Sequence, residues 1–142
     1  MDTSNKFIQM CNCPEIQSQW VVKAGDWVSV AADCDFAPNE PVMLDWTNWN
    51  ERFTWESEEE GKEFFKERGI WLLRQDQIQK MMLTDVRDSL NVQVNRIANQ
   101  FAFERYRNDG LAVYFFNSWE QLWLAFLMRE KYNKKWYYEE WV

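Results

Sequence analysis

The chain has 142 residues, 46% of them hydrophobic and 18% aromatic with ten tryptophans, which is enough apolar surface for one core and too much for a disordered segment. Sixteen basic against 23 acidic residues give a formal charge of −7, which opposes binding to a phosphate backbone, so duplex nucleic acid is not an expected partner. Histidine is absent, which excludes Ser-His-Asp and Cys-His hydrolases, HExxH proteases and facial-triad oxygenases, and no apolar run approaches the ~20 residues of a membrane-spanning helix.

The start, Met1-Asp2-Thr3-Ser4-Asn5-Lys6, is polar and leads into no signal-peptide core, so a cytoplasmic location is expected. In residues 20–30, WVVKAGDWVSV, two β-branched and aromatic runs flank Ala24-Gly25-Asp26, the pattern of a hairpin. Residues 31–50 hold Pro38, Asn39, Pro41, Asn48 and Asn50 and predict a loop with one short strand at 42–46. Ser57 with Glu60 makes a capping box, Glu58 and Glu59 suit the positive end of a helix dipole and Gly69 is a stop, so a helix is expected over 58–68 with Phe64 and Phe65 as a narrow apolar stripe.

Ile70-Trp71-Leu72-Leu73 predicts a strand, and Ile78, Met81 and Met82 predict a helix over about 75–83. Val86, Leu90, Val94, Ile97 and Phe101 step by four, four, three and four along one face of a long helix that ends near Asn108-Asp109-Gly110. Leu111 to Phe116 is a continuous apolar run of strand type. Ser118 with Gln121 repeats the capping box and opens a helix to about residue 132, with Trp119, Leu122, Trp123, Phe126 and Leu127 as its buried face. Trp136, Tyr137, Tyr138 and Trp141 then form an edge strand or a packed tail. No repeat or linker divides the chain, so residues 1–142 are expected to form a single globular domain. Strands come early and helices late, which predicts an α+β fold: a small, mainly antiparallel sheet packed against about four helices.

The chemistry-bearing residues are sparse. Cys11, Cys13 and Cys34 could offer thiolates to a metal, but CxC is not the usual knuckle spacing and free cysteine is commonly a small buried hydrophobe, so neither metal nor cofactor is expected. The acid pairs Asp33/Asp35 and Glu139/Glu140 are read as solvated surface, and neither GxGxxG nor GxxxxGK occurs. Two groups are candidates for binding. Trp46, Trp49 and Trp55 lie among Asn48, Asn50 and Arg52 without clear periodicity, and exposed Trp and Arg are the types that dominate hot spots, although loop packing explains them as well. Trp71, Arg74, Gln75 and Asp76 bracket a helix start able to meet a peptide or an anion, while Gln75 or Asp76 serving as a cap is the plainer account.

Three stretches together, Cys11-Asn12-Cys13-Pro14-Glu15-Ile16-Gln17 leading to Gly25-Asp26, Trp71-Leu72-Leu73-Arg74-Gln75-Asp76-Gln77, and Glu120-Gln121-Leu122-Trp123-Leu124-Ala125-Phe126 ending in Trp136 and Trp141-Val142, resemble a family of small uncharacterised proteins encoded in bacteriophages and prophages of Firmicutes. Members more often carry proline where Leu73 stands. The resemblance implies a phage origin and expression in the bacterial cytoplasm, and brings no chemistry with it. Together with the missing catalytic motifs and the surplus of aromatics, the expectation is a non-enzymatic protein-interaction module that binds a host or phage protein, in an oligomeric state the sequence leaves open. The alternative is an acidic mimic that occupies the DNA-binding site of a host enzyme, for which rows of carboxylates on one face are the mark.

Overall fold

The computed structural model describes residues 1–30, 40–45, 55–82, 90–107 and 116–142, with backbone alone at residue 90 and residues 100–107. The fold is α+β and divides into two compact units, Met1–Arg74 and Gln75–Val142.

The first unit opens with two helices, α1 (Asn5–Cys11) and α2 (Pro14–Gln17). Ser4 caps α1 by accepting a hydrogen bond from the Phe7 N–H, and Phe7, Met10 and Cys11 form its buried face. Pro14 begins α2, where a missing N–H is harmless. Three strands follow, β1 (Trp27–Val30), β2 (Val42–Met43) and β3 (Gly69–Leu72), in the antiparallel order β2-β1-β3. Val28 sits opposite both Val42 and Trp71, and Trp27 opposite Met43 and Leu72. Between β2 and β3 runs α3 (Glu58–Arg68), and the three helices among the described residues of this unit each pack against β3.

The hairpin expected over residues 20–30 does not form. The Asp26 carboxylate accepts hydrogen bonds from the Trp20 indole and the Lys23 N–H, both at 3.0 Å, and curls residues 20–26 into a compact turn instead of a strand. Gly25, with φ +85°, meets that turn's need for a left-handed residue, and its N–H reaches the Leu44 carbonyl at 2.7 Å. β1 therefore takes its partners from residues distant in sequence. The strand expected over 42–46 shortens to Val42–Met43, with Leu44 still bonded to Asp26.

α3 has the expected bounds, but Gly69 ends it for a different reason. Its φ of −91° is open to any residue; a Cβ there would lie 2.6 Å from the Phe65 carbonyl oxygen, because the chain turns directly from helix into strand.

The second unit contains α4 (Gln75–Met82), α5 (Leu90–Arg107), α6 (Trp119–Tyr132) and a C-terminal hairpin of β4 (Trp136–Tyr137) and β5 (Glu140–Trp141). α4 packs on α6. Among the described side chains of α5, Ile97 is buried as expected, while Val94 is exposed and Gln93 is buried beside the expected stripe. Val86, the side chains of Leu90 and Phe101, and residues 111–115 of the strand expected over 111–116 lie outside what is described. α6 buries nearly its whole circumference, Gln121 and every residue from Trp123 to Met128, yet Trp119, expected on the buried face, is 64% exposed. Asn133 closes α6 in the left-handed conformation, its N–H donating to the Arg129 carbonyl at 3.0 Å and that of Lys134 to the Met128 carbonyl at 3.1 Å.

Candidate functional site

The sequence-derived candidates separate into three groups. Trp71 is buried in β3, its ring stacked on Trp20 with planes 7° apart and centroids 6.2 Å apart. Lys66 of α3 lies 5.7 Å from the Trp20 ring centroid and donates to the backbone carbonyls of Gln17 and Trp20, at the end of α2. Gln17 acts as a surrogate strand along the open edge of β3. Its side-chain oxygen accepts from the Trp71 N–H at 3.0 Å, and its Nε2 donates to the Trp71 carbonyl at 3.1 Å and the Cys11 carbonyl at 2.8 Å. Arg74 turns back on the same unit, its Nη1 donating to the Gly25 carbonyl at 2.7 Å. This group is a brace. Its amide, ammonium and guanidinium groups are engaged with backbone oxygens, and what Trp71 and Arg74 do is hold the 20–26 turn on the sheet.

Gln75 and Asp76 open α4, the first half-buried and the second exposed in the first turn, where a carboxylate complements the helix dipole. Of the tryptophan cluster, Trp46 and Trp49 lie outside the described residues. Trp55 packs: its ring meets Phe65 edge-on at 5.3 Å and Phe64 at 5.5 Å, forming an aromatic triangle over α3.

The Cys11 thiol is held neutral. Cys11 is fully buried, and burial pushes its pKa far above the usual thiol range against an opposing hydrogen bond from the Leu73 backbone. Cys13 is also buried, Cys34 lies outside the described residues, and among those described no three His, Cys, Asp or Glu side chains are grouped to hold a metal ion.

A surface that sequence reasoning missed stands at the C-terminus. The β4–β5 ladder is extended at its base by paired Lys135 and Val142, and Trp136 faces Trp141 across it with ring centroids 4.9 Å apart. On the other face Tyr137 is opposite Glu140. The two-residue turn is Tyr138-Glu139, with φ +43° and +66°, a type I′ geometry that normally selects Asn-Gly. Both of its residues are thus held left-handed without glycine's freedom, a conformation that is uncommon and costs of order 1 kcal/mol or more for each. Tyr138 is 77% exposed and its ring stands against that of Tyr137 at 82°, centroids 4.4 Å apart. Glu139 and Glu140 are exposed and, among the described residues, neither carboxylate has an ion-pair partner. The lack of any glycine or asparagine hid this turn in the sequence; the alternation of Trp136 and Trp141 with Tyr137 and Glu140 was the available signal.

Comparison with protein-family models, with curated proteins and with solved structures finds no match to this chain.

Proposed function

We propose that the chain is a non-enzymatic protein-interaction module, a phage or prophage accessory protein acting in a bacterial host, and that it meets its partner through the β4–β5 tip. The observation that carries this reading is the strained, solvent-facing Tyr138-Glu139 turn: a sequence that gives up the stable Asn-Gly turn to present an aromatic ring and a carboxylate is shaped by something other than folding. Exposed tyrosine is a frequent anchor of binding surfaces, and Trp119, also exposed, offers a second large aromatic. Tagged full-length protein incubated with Firmicute host lysate is expected to retain one stoichiometric protein, and the doubly substituted Y138N/E139G chain to lose it. Retention of nothing, or equal retention by both chains, refutes the reading.

A second reading, the acidic mimic, has support in α3. Glu59, Glu63 and Glu67 are exposed and recur every four residues, about 6 Å apart along one helix face. Lys62 forms its ion pair with Glu58, at 2.6 Å, and Lys66 donates to the Gln17 and Trp20 backbone carbonyls. Competition between duplex DNA and this protein for the retained partner, abolished by E59Q/E63Q/E67Q, is the outcome that favours the mimic.

A further inference from the structure

The chemistry of the tip selects among protein partners. The rings of Tyr137 and Tyr138 stand nearly perpendicular and touching, so their faces form the two walls of a corner. An aromatic face carries negative potential and attracts a cation within about 6 Å of its centroid. Two acidic residues neighbour the corner in register and in chain: Glu140 is directly across the ladder from Tyr137, and Glu139 follows Tyr138 in the turn. Neither is neutralised by a described cation, and the lysines of this segment, Lys134 and Lys135, lie at the opposite end of the ribbon, where Lys135 pairs with Val142. An acidic partner meets two uncompensated carboxylates on a chain of charge −7, and an apolar partner has to strip water from them. A cation satisfies the ring faces and the carboxylates together.

We propose that the hairpin tip takes an arginine or lysine side chain from a protein partner, its cationic group lodged in the corner of Tyr137 and Tyr138 and held by Glu139 and Glu140. This rests on the interaction reading above and narrows it to one partner chemistry. The two strained positions gain a purpose thereby: turn residues that relax the backbone remove one wall and one carboxylate.

The probe is a ten-residue Gly/Ser peptide carrying three arginines, set against the same peptide with citrulline, which keeps the shape and lacks the charge. Titrated into full-length protein and followed by the ring resonances of Tyr137 and Tyr138, the arginine peptide is expected to give saturable shifts and the citrulline peptide none. E139Q/E140Q is expected to weaken binding fivefold or more, and Y138N/E139G, which keeps the hairpin, to abolish the tip response. Equal response to both peptides, no saturable shift at the tip, shifts centred on the α3 glutamates instead, or shifts unchanged in Y138N/E139G each overturn the proposal. The two readings fail separately. If a lysate protein is retained by wild type and lost from Y138N/E139G while the arginine peptide leaves the tip unmoved, the module stands and its cationic partner falls; if wild type retains nothing, the module itself falls.

Discussion

The Cys11 thiol sits where ionisation is hardest, fully buried beside Leu73. Below its ordinary pKa of 9.0 the thiol is neutral in both folded and unfolded chains and has no effect on their balance. Above it the unfolded chain releases a proton that the folded chain keeps, so stability falls as pH rises. Urea titrations at pH 8 and pH 10.5 are expected to show wild type losing about 2 kcal/mol through this group. Cys11→Ala, weaker by about 1 kcal/mol at pH 8 for its lost packing, then falls less steeply. Parallel slopes for the two chains refute the assignment. At the hairpin tip the sign is opposite. Y138N/E139G replaces two strained residues with those the turn prefers and is expected to raise stability by about 1–2 kcal/mol, measured as a higher thermal midpoint, while partner retention is lost. At Gly69, alanine places a Cβ 2.6 Å from a backbone oxygen that cannot swing aside. Gly69→Ala is therefore expected to cost about 1–3 kcal/mol in spite of alanine's better local propensity.

Elements whose signals are local were legible. Ser57 and Ser118 each accept from the backbone N–H three residues on, as the two capping boxes predicted. The return bonds differ from the simple box: Glu60 and Gln121 accept from Glu56 and Asn117, one residue before the cap, which pins the approach of the chain as well as the helix end. β1 was legible as a strand and illegible in its pairing, because its partners come from residues 42–43 and 69–72 while Asp26 diverts the nearer segment to Trp20. On α5 the stripe held at Ile97 and failed at Val94, which is exposed while Gln93 is buried, because apolar spacing alone does not tell which of two neighbouring positions turns inward. The element with most at stake is β3, whose outer edge is closed by one side chain. Gln17→Ala leaves the Trp71 N–H and carbonyl without their partner and uncovers a strand edge. A loss of about 1–3 kcal/mol is expected by chemical denaturation, with new concentration-dependent association in sedimentation. Unchanged stability refutes the surrogate-strand role.

For the whole molecule, fold class followed from composition and the order of strands and helices, while the candidate site did not. Tryptophan drew attention to Trp55 and Trp71, of which Trp71 is buried against Trp20 and Trp55 is half-buried on Phe64 and Phe65; the exposed tip is built of tyrosine and glutamate, residues too common to stand out. Charge is the one global property that acts on folding and binding together. A chain of net −7 repels itself when compact, so screening by salt is expected to stabilise it, by several tenths of a kcal/mol between 0.05 and 0.5 M sodium chloride. The same screening weakens a contact between exposed carboxylates and a cationic partner, so partner retention is expected to fall severalfold over that range. The two responses have opposite signs, which separates lost binding from lost structure without a mutation. A thermal midpoint that rises while retention falls supports a cation at the tip; retention that rises with salt points to an apolar contact and removes the cation.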